Sequence, residues 1–338
     1  MNRGSFALAG RLLGEGQPCL VVAYVGLAHE GHVERALALI EAAFQAGADA
    51  IAFSVFRTEE LVVRRHPERR ELEQLELGAK DWLRVLEAGR ASGLAVIVEA
   101  HDLPSRDLAL EAGVDALQSH PRDADHPELL RALAAAGRPL LLAAGDGSEA
   151  LLRDALEAAT GSVAVLLGPA TAPAPVEELR LSEIASVRDR LRVSVGLLDP
   201  TDGGSAFALL VPALAAAEGA AFVEKRLVLA RGRKGRDGAA ALSPEEFYRM
   251  VELLRQSERA RGEGVARSDP TTPARGRSIV AAGLIARGEV LSIDRLRFKR
   301  ADDPLARGLR PLEAQRVIGR RAARPIEADE LIREEMLE

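Results

Sequence analysis

One unit recurs along the chain: a helical stretch that ends at glycine, followed by a short apolar run. "AAFQAGADAIAF" shows it at Gly47, "GRASGLAVIV" at Gly93, "ALEAGVDAL" at Gly113, "LAAAGRPLLL" at Gly137 and "AAAEGAAFV" at Gly219. Glycine after a helix adopts the left-handed backbone that other residues resist. A short apolar run between helices reads as a strand of a parallel sheet, buried on both faces. Eight such runs lie near 19–25, 49–55, 94–99, 115–118, 138–143, 162–167, 192–197 and 220–224, and the last helical pattern lies near 244–260. Eight βα units predict an α/β chain folded as a (β/α)8 TIM barrel, with an open doubly wound sheet as the alternative. Such barrels keep their chemistry at the C-terminal ends of the strands.

A barrel of this kind takes ~250 residues, so a chain of 338 has room for another module. The barrel is expected over 1–261. "RGEGVARSDPTTPARG" is polar, rich in Gly and Pro and without apolar period, and predicts a linker over 262–276. Residues 277–338 alternate short β-like runs with turns and predict a small β-rich domain, marginal alone. The net charge of −6, with Lys and Arg spread along the chain, gives nucleic-acid binding no electrostatic support. No stretch approaches the ~20 apolar residues of a membrane span. A single cysteine, Cys19, excludes an internal disulfide framework, and the broken apolar run of "MNRGSFALAGRLLGEGQP" makes a poor signal peptide. A cytoplasmic location is expected.

"AGADAIAF", "VEKRLVL", "LSPEEFYRMV", "RSIVAAGLIARGEVL" and "IGRRAARPIEADELI" together resemble the sialic acid synthase family, from about residue 20 to 335. The resemblance implies a barrel joined to a C-terminal antifreeze-like (SAF) domain. It also implies condensation of phosphoenolpyruvate with an N-acetylated hexosamine to give a nonulosonic acid. A divalent metal would act as Lewis acid, and lysines and hydroxyls would hold phosphoenolpyruvate. The resemblance further implies a homodimer in which the SAF domain of one chain covers the partner's barrel, with Arg277 reaching the partner's substrate.

The chain departs from that pattern at the chemistry. The family's Glu and Asn-His-Asn after the first strand give way to Tyr24, Ala28, His29 and Glu30, and Lys-Phe-Gln after the second to Ala52 and Ser54. Gln118 stands for a lysine of the fourth strand, and Ala143 and Ala144 for Ser-Thr of the fifth. The two metal histidines correspond to Pro200 and Arg226, and all six histidines of the chain lie at or before residue 126. The same stretches are also similar, more weakly, to the DAHP synthases. That likeness implies a phosphate contact at Arg122 and metal ligands at Asp202, Glu224 and Asp237. An all-oxygen set favours Mg or Mn; a chain with no metal at all stays open beside it.

Glu224 and Lys225, at a strand end, are the expected catalytic pair, against the plainer reading of charges that support the fold. Arg57, Arg122 and Arg226 are expected to receive a phosphate or carboxylate, with Gln118, Asp199 and Arg277 as further substrate contacts. Asp199 and Asp202 also suit turns, Asp237 also suits a solvated loop, and Arg122 also suits a helix start. His29, His32 and His101 are expected in loops or at the mouth, Cys19 in the core, and Ser148 at a helix N-cap. Three functions stay open: a divergent phosphoenolpyruvate-condensing enzyme, a non-catalytic binding or regulatory relative in surface polysaccharide biosynthesis, and a barrel enzyme for another anionic metabolite.

Overall fold

The computed structural model describes residues 6–14, 16–144, 149–231, 238–262, 276–300 and 308–338. The chain divides into two compact units, Met1–Glu263 and Gly264–Glu338. The expected linker lies almost entirely outside the described residues, as do Ser148 and Asp237.

The first unit opens with a hairpin of β1 (Phe6–Leu8) and β2 (Arg11–Leu13). Eight parallel strands follow: β3 (Leu20–Gly26), β4 (Ala50–Val55), β5 (Ala95–Ala100), β6 (Ala116–Gln118), β7 (Leu140–Ala143), β8 (Val163–Leu167), β9 (Ser194–Asp199) and β10 (Phe222–Arg226). They close in sequence order, β10 pairing back onto β3, so the closed barrel replaces the open sheet. All five glycines of the repeat have positive φ, from 66° at Gly113 to 94° at Gly219. Each ends its helix and turns the chain into the next strand.

Side chains alternate along every strand. Val22, Tyr24, Ala52, Ile97, Leu141, Leu166 and Phe222 point inward and pack in one cluster. The alternate set, including Val21, Phe53, Val98, Leu197 and Val223, meets the helices in a second. The hairpin adds Phe6, Leu8 and Leu13 to the inner cluster, with the Phe6 ring 6.4 Å from that of Phe222. It therefore floors the barrel, a role the sequence reading did not find. Gly196 of β9 leaves room for Phe222: a Cβ there would lie 2.3 Å from its ring.

The helix Pro244–Arg261 starts at a Ser243–Glu246 capping box. It closes the seam, since Arg255 donates to the Cys19 carbonyl at 2.7 Å and to Asp49 Oδ2 at 2.6 Å. Cys19 is buried, as expected. His29 sits in the loop after β3, one of the two places expected, but fully buried against Trp82 at 5.2 Å, and burial pushes its imidazole down to about 4.

In the second unit β11 (Ser278–Ala281) and β12 (Leu296–Lys299) pair antiparallel. Isolated bridges, such as Ile285 to Ile326, extend them around a core of Ile279, Leu291, Val317, Ile326, Ile332 and Met336. No described helix is long and apolar enough to cross a membrane.

Candidate active site

The inward positions turn polar at the C-terminal end of the barrel. Ser54 pairs in register with Glu99, and Glu99 with Gln118, so three polar side chains stand in one row across β4, β5 and β6. Arg226 pairs with Tyr24 across the closing seam. The Tyr24 hydroxyl donates to Glu99 Oε2 at 2.7 Å and Ser54 Oγ donates to the same oxygen at 2.5 Å. Above the row, His101 Nε2 lies 3.3 Å from Glu99 Oε2 and His101 Nδ1 lies 3.3 Å from Asp123 Oδ2. The His120 ring lies 5.0 Å from that of His101. A buried chain thus runs from Tyr24 through Glu99 and His101 to Asp123.

Burial alone would raise Glu99. The His120 and His101 charges and the hydrogen bonds from His101 and Ser54 outweigh it and hold the carboxyl well below its usual range. Burial likewise opposes the charge on His101, but hydrogen bonds to Asp123 and Glu99, with their charges, carry it up to about 10. His101 is therefore an imidazolium between two carboxylates at neutral pH. His120 is pushed down, by burial first and then against the opposing pull of Glu99.

A cavity of about 600 Å³ opens over this chain, a size suited to a small metabolite. His101, His120 and Asp123 form part of its wall, with Tyr24, Ser54 and two arginines, Arg122 and Arg226. The Arg226 guanidinium lies over the Tyr24 ring, 4.9 Å from its centroid, which fixes the cation by a cation–π contact. Guanidinium groups grip carboxylate and phosphate in bidentate fashion.

The expected site residues do not all meet here. Glu224 faces the barrel interior, fully buried, with Gln118 turned toward it but no hydrogen bond of normal geometry between them. Burial pushes its carboxyl up to about 8, helped by the Glu99 charge and opposed by Gln118 and Arg226. Lys225, the next residue, points outward toward the helices. Its Nζ lies 3.0 Å from Asp199 Oδ2 and donates to Thr201 Oγ1 at 2.8 Å. Asp199 in turn accepts the Thr201 N–H and hydroxyl, so the pair clasps the loop after β9. Burial lowers Lys225, with Asp199 opposing.

Arg57 is half exposed, pairs with Glu59 at 3.1 Å and is not among the cavity residues. Asp202 is exposed and accepts the Gly204 N–H at 2.8 Å, the geometry of a turn. Asp202 and the buried Glu224 thus sit in different settings, and Asp237 lies outside the described residues. Arg277 is exposed at the start of the second unit. The positions matching the family's metal histidines do not fit a divalent ion. The Pro200 carbonyl is taken by the Ala174 N–H, and Arg226 offers a guanidinium, which is no ligand. His120, Asp123 and above all Glu99 were not singled out from sequence. A lone Glu ending the apolar strand "LAVIVEA" was the available signal.

The NeuB family model matches residues 39–266 and the SAF domain model residues 276–338. An uncharacterized protein of Methanocaldococcus jannaschii is 28% identical over 96% of both chains. The N,N'-diacetyllegionaminic acid synthase of Campylobacter jejuni is 25% identical over 93% of this chain and 99% of its own. The crystal structure of the sialic acid synthetase of Leptospira borgpetersenii, in complex with citrate, superimposes with a TM-score of 0.73 at 24% identity. The match covers 79% of this chain and 93% of that one. A truncated DAHP synthase of Thermotoga maritima shares the fold, at TM-score 0.62 and 18% identity over 76% of this chain and 92% of its own. An eight-stranded closed barrel, an SAF domain and matches along nearly the whole length lead to one assignment: the chain belongs to the NeuB family.

Proposed function

We propose that this chain is a divergent phosphoenolpyruvate-condensing enzyme that receives the anion at the barrel mouth through Arg122 and Arg226. The observation that carries the reading is that both arginines line one cavity. They supply the positive charge that the family resemblance assigns to lysines. A buried chain of ionised groups beneath them is costly unless used, and an idle scaffold would be more stable with apolar residues there. The relatives' names point to sugar acids as products, so the second substrate is an amino sugar and the chemistry is carbon–carbon bond formation with release of phosphate. No step runs through a metal at Pro200 and Arg226, which do not fit one. A homodimer, with Arg277 of one chain near the other's mouth, accompanies this reading by resemblance alone.

The test is phosphate release from phosphoenolpyruvate in the presence of a panel of N-acetylated hexosamines. Sugar-dependent release, lost in Arg226→Met, supports the reading. Phosphoenolpyruvate binding without release for any sugar favours the non-catalytic relative, to which the replacement of the family's lysine by Gln118 also points.

A further inference from the structure

We infer that His101, His120 and Asp123 form a divalent transition-metal site on the wall of the barrel-mouth cavity, at the ends of β5 and β6. One ligand atom from each of the three lies within 4.8 Å of the others. Metal bonds of about 2.0–2.2 Å put neighbouring ligand atoms roughly 3–3.5 Å apart, so side-chain rotations of about an ångström close the set. All three border the cavity, so an ion would have an entry path and coordination positions left open for an oxygen of a bound molecule. Three protein ligands plus open positions is the arrangement of catalytic rather than structural metal sites.

The support behind the ligands is an independent observation. A metal-bound histidine usually gives its other ring N–H to a carboxylate, which fixes the ring and its tautomer. Here His101 turns Nδ1 to Asp123 and Nε2 to Glu99, and Glu99 is 1% exposed and held by Tyr24 and Ser54. With Nε2 held by Glu99, Nδ1 faces Asp123 Oδ2 across 3.3 Å, and an ion bound by both takes the place of the proton between them. Binding has two local costs: His101, an imidazolium in the metal-free chain, must release the proton on Nδ1 that faces Asp123, and His120 must give up a backbone contact. His120 Nδ1 accepts the Arg122 backbone N–H at 3.1 Å, and ligation through either ring nitrogen gives that bond up. Two imidazoles and a carboxylate favour ions of the Zn, Fe and Co type over Mg or Ca. The site shares no residue with Pro200, just after β9, or Arg226, at the end of β10, and does not depend on the anion reading.

The test uses the full chain, stripped with EDTA and titrated with Co²⁺ alone, no anion present. The readout is the visible d–d absorption of protein-bound Co²⁺, with Zn²⁺ competition by calorimetry. The inference predicts one Co²⁺ per chain. Glu99→Gln should weaken binding about 10–100-fold, the usual effect of losing a carboxylate behind a ligand. His120→Gln and Asp123→Asn should each weaken it more than that. His66→Gln, which removes another cavity histidine, should leave it unchanged. Thermal unfolding of each variant confirms that it is folded. No Co²⁺ spectrum from the folded wild-type chain overturns the inference. So does a spectrum that survives both His120→Gln and Asp123→Asn. Phosphoenolpyruvate binding to the EDTA-stripped chain is scored separately, so failure of the metal site and failure of the anion site are distinguishable.

Discussion

Glu224 and Lys225 are consecutive in β10 and stand back to back across it. The carboxyl is sealed inside the barrel beside Gln118, and the ammonium is clasped outside it by Asp199 and Thr201. The period of two along a strand enforces this, so the two cannot grip one ligand from the barrel axis.

Glu224 makes folding pH-dependent. Its folded pKa of about 8 exceeds its ordinary 4.5, so between these values the folded chain holds a proton that the unfolded chain has lost. Stability from this group is therefore present in full below 4.5 and falls as pH rises toward 8. Glu224→Gln cannot titrate. Its melting temperature should match wild type near pH 5 and exceed it at pH 8.5, by an amount equivalent to a few kcal/mol (roughly). A difference that does not change with pH contradicts the assignment.

Lys225→Met should be strongly destabilising. It leaves Asp199 buried with an uncompensated charge, a change that costs about 3–5 kcal/mol. Adding Asp199→Asn should restore part of the loss. Urea unfolding of both variants checks this, and a loss below about 1 kcal/mol in the single variant would show a solvated pair.

Gly196→Ala should lower stability by about 1–3 kcal/mol, because the new methyl overlaps the Phe222 ring. Phe222→Leu costs stability alone by leaving a cavity, yet the two changes together should cost less than their sum. Strict additivity in a denaturation cycle would mean that the residues do not share the space.

Much of the fold was legible in the chain because its signals are local. Glycine after a helix has one dominant structural reason, and all eight strands emerge where the apolar runs stood. The N-terminal hairpin was missed because "FALAGRLL" is too short to show a period and takes its meaning from the barrel end it floors. The site was less legible because it is assembled across strands. Glu99 lies near the end of one strand while His120 and Asp123 follow the next, and only the register of β4, β5 and β6 brings Ser54, Glu99 and Gln118 into one row. Arg122 and Arg226 were readable as cations near strand ends, whereas Arg57, equally charged, turns to Glu59 instead.

The most direct measurement is calorimetric titration of phosphoenolpyruvate into the EDTA-stripped protein, wild type beside Arg226→Met and Arg122→Met. Charge-assisted hydrogen bonds are worth about 1.5–3 kcal/mol each, so each variant should bind roughly 10–150-fold more weakly while melting close to wild type. Absence of binding to the folded wild-type chain, or equal affinity in all three proteins, would contradict an anion site built on the two arginines.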